Sequence, residues 1–154
     1  MNYLLDTNIV LTCLRTNELS QRLTRQLELF APNVSLLVSI VTVGELQSIA
    51  KQNNWGEKRT AALLEWLNTF LVLDINIEEV VEQYAKIDAF SQGKLKELPS
   101  SFSSRNMGKN DVWIAATASV FDLKLITTDK DFNHLDKVFL DLTLVDLNAL
   151  ENSK

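Results

Sequence analysis

The chain has 154 residues, 46% hydrophobic and 23% charged, with a net charge of −5 at pH 7, which suits one ordinary globular domain with a proper core. That negative balance argues against a broad basic face for nucleic acid and leaves room only for a local basic patch. One cysteine, Cys13, and one histidine, His134, exclude an intrachain disulfide, a multi-cysteine zinc site and histidine-rich metal or nuclease chemistry, so catalysis would run on carboxylates, hydroxyls and amines.

In chain order, the start "MNYLLD" meets an acid where a secretory signal would carry basic residues. "YLLD" reads as a short buried strand. "TNIVLTCLRTNELSQRLTRQLELF" follows with helical periodicity and a break near Asn17. "VSLLVSI" is a second strand; with "VTV" after it, the run is too short and too serine-punctuated to span a membrane. A cytoplasmic protein is expected. "TVGELQSIAKQN" and "GEKRTAALLEWLNTF" are the next helices, "LVLDI" a third strand, and "NIEEVVEQYAKIDAFSQ" a further helix. "GKLKELPSSFSSRNMGK" has no period and reads as a loop of about fifteen residues, long enough to suspect a role. "NDVWIAATASVFD" then gives a helix, "KLITTD" a strand and "LTLVDL" a last strand. Strands alternating with helices imply βαβ units, a mostly parallel sheet and helices on both faces. No repeat or linker divides the chain, so residues 1–154 are expected to form a single α/β domain.

In open parallel sheets, ligands bind at the carboxyl ends of the strands, and acids stand there. Asp6 ends the first strand, Glu45 lies one turn into the helix after the second, Asp111 opens "NDVWIAATA", and Asp129 ends "KLITTD". Asp131 follows close behind. Each has a local explanation. Thr42 to Glu45 fits a capping box. Asn110 or Asp111 is an ordinary N-cap, Thr128 and Asp131 form another, and Asp6 caps the helix after it.

Together they say more, because a parallel sheet brings all four to one edge. Carboxylates about 4 Å apart repel by roughly 4 kcal/mol at an effective dielectric near 20, so a fold gathers them with a cation or a shared proton. Hard oxygen ligands suit Mg²⁺ or Mn²⁺.

"YLLDTNIVLTCLR", "TVGELQSIA" and "MGKNDVWIAATASVFDLKLITTDKDF" resemble the PIN domain, and more narrowly the VapC-type toxins of toxin–antitoxin pairs. The resemblance spans nearly the whole chain. It implies a three-layer αβα fold around a mostly parallel sheet of about five strands. Asp6, Glu45 and Asp111 match the family's regular acidic ligands, and Asp129 or Asp131 the variable fourth. Thr7 and Asn8 match the polar pair that orients the first aspartate, with Thr127 or Thr128 orienting a ligand or water and Asn110 in support.

The implied activity is a Mg²⁺- or Mn²⁺-dependent endoribonuclease that cuts tRNA or another structured RNA with metal-activated water, leaving 3′-hydroxyl and 5′-phosphate ends. The implied partners are a cognate antitoxin (VapB-like) that covers the site and a second copy in a homodimer, for which "WGEKRTAALLEWLNTF" offers apolar surface. Arg15, Lys109 and Lys130 lie near motifs and are candidate phosphate contacts. Lys94, Lys96 and Arg105 sit in a loop longer than in many relatives. Trp113 either stacks a base or belongs to the core. Two other readings stay open: a PIN-like module without catalysis that binds RNA or protein, and a Mg²⁺-dependent aspartyl-phosphate phosphatase, which would want an acid where Asn8 stands.

Overall fold

In the computed structural model, which describes residues 1–152, five parallel strands form one sheet in the order β3-β2-β1-β4-β5. The strands are β1 (Asn2–Leu5), β2 (Ser35–Ser39), β3 (Leu71–Leu73), β4 (Lys124–Thr127) and β5 (Asp141–Leu144). The helices are α1 (Thr7–Leu14), α2 (Glu18–Gln26), α3 (Ile40–Gln52), α4 (Glu57–Leu67), α5 (Glu78–Ser91), α6 (Lys109–Val120) and α7 (Leu147–Asn152), with a 3-10 helix at Lys130–Leu135. The break expected near Asn17 is a new N-cap: its side chain accepts from the Ser20 amide at 3.0 Å.

Side chains alternate across a strand, and this divides the core in two. Leu4, Leu37 and Leu125 point to one face and pack with Ile87 and Phe90 of α5 and Ile114 of α6. Their neighbours Leu5, Val38 and Ile126 point to the other, against Ile9 of α1, Leu46 of α3 and Leu63 of α4. The sheet therefore lies between two helical layers, and both faces of its central strands are apolar because both are covered.

Two helices begin earlier than their sequence suggests. For α3 the N-cap is Ser39, whose hydroxyl accepts from Val41 N at 3.2 Å. Thr42 is inside the helix and fully buried, so the capping box with Glu45 does not form. For α6 the cap is Gly108, with no side-chain bond. That leaves Asn110 and Asp111 in the first turn rather than capping it. In both places the chain turns into the helix as soon as it can leave the sheet or loop, which frees the polar side chains one turn on.

The aperiodic segment 92–108 is tied down. Leu95, Phe102 and Met107 pack on the α5–α6 side of the core, and the Arg105 amide donates to the Ser91 carbonyl at 2.7 Å. No helix among the described residues is long and apolar enough to cross a membrane.

Candidate active site

Strand order turns outward from β1 in two directions, to β2 and β3 on one side and to β4 and β5 on the other. Such a switch point opens a crevice beyond the strand ends. Asp6 lies in it. It follows β1 directly and serves as the N-cap of α1, with Oδ1 accepting from Thr7 N at 2.7 Å. Oδ2 accepts from the Thr127 hydroxyl at 2.7 Å. Asp6 is only 4% exposed, yet none of the ion pairs among the described residues includes it or the other three acids.

Glu45 comes from α3 and is held from two elements. The Thr7 hydroxyl donates to Oε2, and Asn110 Nδ2 to Oε1 at 2.9 Å. Asp111 projects from the first turn of α6. Asp129 follows β4 and caps the 3-10 helix, its Oδ1 accepting from Asp131 N at 2.8 Å. Its own amide donates to the Thr127 hydroxyl at 3.0 Å, so Thr127 links the first and fourth acids. Thr128, the first residue after β4, is half-buried. All four acids line one cleft of about 670 Å³, with Thr7, Asn8 and Asn110. Asp131 does not line it and is exposed; the cap expected at Thr128 and Asp131 is instead made by Asp129.

Electrostatics register the crowding. Burial, followed by the charges of Asp6, Asp129, Glu45 and Asp131, pushes Asp111 up to about 7. Burial also raises Asp6, against the pull of the Thr127 hydroxyl and Thr7 amide, with Glu45 and Asp129 adding to the rise. Among the described residues no three acid, histidine or cysteine groups form a ready-made chelate. The donor set nonetheless fits a hard divalent cation. Four carboxylates without a cationic partner share a cleft, and Mg²⁺ commonly keeps several waters between itself and a few carboxylates.

The basic candidates are less uniform. Neither Arg15, Lys109 nor Lys130 lines the acidic cleft. Lys109 pairs with Asp88 at 3.2 Å, Lys130 is exposed in the 3-10 helix, and Arg15 lines a neighbouring pocket.

Of the two roles open to Trp113, the structure gives parts of both, and Ser48, Gln52 and Gly108 are contributors that sequence reasoning missed. Trp113 is half-buried, lies 4.1 Å from the Tyr84 ring by centroids, and lines the cleft. Ser48 and Gln52 line it from α3, and their spacing from Glu45, three and seven residues on, was the available signal. At Gly108 a Cβ would meet Asp111 Oδ2 at 2.7 Å, so the glycine makes room for the carboxylate.

Known proteins share this fold. A family model described as the PIN domain matches residues 3–138. The chain is 28% identical over 131 residues to ribonuclease VapC2 of Haemophilus influenzae, covering 84% of this chain and 87% of that one. VapBC-1 from nontypeable Haemophilus influenzae superposes with a TM-score of 0.70 at 27% identity, over 96% of this chain and 99% of that one. VapBC2 from Rickettsia felis, bound to a DNA fragment from its promoter, gives 0.74 at 24%, over 95% and 100%. VapBC-5 from Mycobacterium tuberculosis, of the VapBC family of toxin-antitoxin systems, gives 0.60 at 23%, over 94% and 98%.

Proposed function

This chain belongs to the PIN-domain family, and from that premise we propose that it is a metal-dependent endoribonuclease, the toxin of a VapC-type toxin–antitoxin pair. The observation that carries the reading is the cleft in which Asp6, Glu45, Asp111 and Asp129 face one another without a cation of the chain. Similarity to a ribonuclease over 84% of the chain supports it. Residues 1–154 would act as one PIN domain, in the cytoplasm.

In this reading the four carboxylates hold Mg²⁺ or Mn²⁺, which when bound supplies an activated water and stabilises charge on phosphorus. The chain's own groups prepare the site. Thr127 and the Thr7 amide fix both oxygens of Asp6, while the Thr7 hydroxyl and Asn110 fix those of Glu45. Hydrogen bonds that orient metal ligands commonly matter nearly as much as the ligands. Asn8 stands where a phosphatase would need its second acid, which disfavours that alternative. The substrate class is a structured RNA such as tRNA, cut to 3′-hydroxyl and 5′-phosphate ends.

A cognate antitoxin is the partner, as the two-protein VapBC relatives suggest. An arginine from it could pair with two of the carboxylates in place of a metal's charge. A homodimer is also proposed. Within 55–70 most apolar residues are core, Leu63 and Leu67 among them, but Leu64 with Leu71 and Val72 on the edge strand β3 stays exposed.

The test is cleavage of total RNA by the purified protein with Mg²⁺, Mn²⁺ or EDTA, beside Asp6→Asn. Metal-dependent fragments with 5′-phosphate ends, absent in the variant, are expected. Cyclic-phosphate ends, or full activity in Asp6→Asn, would overturn the assignment.

A further inference from the structure

Beside the acidic cleft lies a second one of about 700 Å³, walled by Leu11, Leu14 and Arg15 of the α1 end, by Ile49 and Asn53, and by Trp55 and Arg59. Ile49 lines both cavities. Along α3, Glu45, Ser48, Ile49 and Gln52, then the cap residue Asn53, fall at the spacing of one helix face. That stripe runs about 12 Å from the acids to the second pocket, and Ser48, Gln52 and Asn53 make it polar.

The far wall is built by the end of α3. Asn54 takes the left-handed conformation (φ 49°), Trp55 N donates to Ala50 O at 2.9 Å and Asn54 N to Lys51 O at 3.1 Å. This is a Schellman turn with asparagine at its left-handed position, and it swings Trp55 back toward the helix it has just left. Arg59, one turn later, lays its guanidinium 3.6 Å from the Trp55 ring centroid. Local helix energetics do not favour it there, because a cation in the first turn of α4 opposes the helix dipole. Arg15 at the end of α1 is in the favoured place for a cation. Both arginines are exposed, and neither joins an ion pair among the described residues.

We propose that the Arg15–Trp55–Arg59 pocket is a nucleotide subsite, which holds a phosphate and an unpaired base of the RNA strand flanking the bond cut in the acidic cleft. The inference rests on the ribonuclease reading and extends it. A guanidinium held over an indole at 3.6 Å offers its other side to a base and its donors to a phosphate. Two free guanidiniums in a chain of charge −5 supply the neutralisation that the carboxylates cannot give a phosphodiester backbone. A base can enter such a stack only when unpaired, so the substrate would present a loop or a single strand.

The test uses Asp6→Asn protein and a fluorescein-labelled single-stranded oligoribonucleotide of mixed sequence, with affinity read by anisotropy across salt. Arg59→Gln and Arg15→Gln should each weaken binding several-fold and lower the salt slope by about 0.7, the single-strand value for one lost phosphate contact. Arg59→Lys should restore the slope without the full affinity, because charge returns and the planar, forked guanidinium does not. Lys86→Gln, an exposed cation on α5, should change neither. Affinity and slope unmoved by both arginine changes would overturn the subsite. If the parent chain still cuts RNA, the nuclease reading survives that result. Loss of antitoxin binding with RNA binding intact would also overturn it and make the pocket a protein contact. An Asp6→Asn chain that binds no RNA, from a parent that cuts none, would overturn both readings.

Discussion

The Thr127 hydroxyl donates to Asp6 Oδ2 at 2.7 Å, joining the last residue of β4 to the residue just after β1. The same oxygen accepts the Asp129 amide at 3.0 Å. A single hydroxyl thus sets the position of two carboxylates 123 residues apart in the chain, because β1 and β4 are paired in register, Leu5 opposite Ile126.

Thr127→Val keeps the shape and removes the hydroxyl. Cleavage should fall about 10- to 100-fold, the usual cost of losing a group that orients a metal ligand, while stability drops by only about 1–2 kcal/mol. Thr127→Ser should recover most of the activity. The checks are initial rates over a Mg²⁺ titration and thermal melts; a valine variant with unchanged rates would show that Asp6 needs no such support.

Gly108→Ala should retain the fold, since the backbone there has ordinary negative φ. Its methyl group would nevertheless crowd Asp111 Oδ2, so cleavage should fall tenfold or more. Gly44→Ala makes the contrast. A Cβ at that position in α3 meets nothing within 4 Å, and replacing a helical glycine should raise stability by about 0.5–1 kcal/mol. Melting curves and cleavage rates of the pair separate the two effects.

The raised Asp111 makes metal-free stability depend on pH. Its folded value of about 7 lies above the ordinary 3.8, so the folded state holds the proton longer. The penalty is absent below 3.8, grows as pH rises through that window, and is complete above 7. Asp111→Asn should therefore stabilise metal-free protein at pH 8 by roughly 1–2 kcal/mol, discounted because the group keeps some contact with solvent, and by almost nothing near pH 4. Added Mg²⁺ should raise the midpoint of the parent chain more than that of the variant. Parallel melts with and without EDTA decide it.

His134 works in the opposite sense. Its Nε2 lies 2.7 Å from the fully buried Ser91 hydroxyl, and its ring stacks against Phe90 and meets Phe102 edge-on. Burial first, and the charge of Arg105 second, lower its pKa below 6.5, although Asp131 pulls it upward. Stability from this group is present above 6.5 and is lost as pH falls through the folded value. The difference in melting midpoint between the parent and His134→Phe should shift in the variant's favour as the solution is acidified. A difference independent of pH would mean that folding leaves the pKa of this ring unchanged.

The element order and the four strand-end acids were legible because both are local matters. Tyr3 to Leu5, Leu36 to Val38 and Leu125 to Ile126 are apolar on consecutive residues, as strands covered on both faces must be. The break at Asn17 is a capping side chain that any sequence reader can see. Helix starts were harder. Ser39 and Gly108 cap α3 and α6 in preference to Thr42 and Asn110, since the starting point is set by where the chain leaves the sheet or the loop, and that is a tertiary fact.

By itself the sequence determined that carboxylates close the strands and that no histidine or cysteine cluster competes with them, because residue types and their periods are written along the chain. Only the tertiary structure decided which of them meet. It placed Asp129 in the cleft and Asp131 outside it, chose Thr127 over Thr128 as the hydroxyl on Asp6, and gave Asn110 to Glu45 and Arg15 to a second pocket. Those choices turn on strand register and on the direction each side chain faces, which couple residues far apart in the chain, 65 positions for Glu45 and Asn110 and 121 for Asp6 and Thr127, and leave no mark in the local pattern of either one.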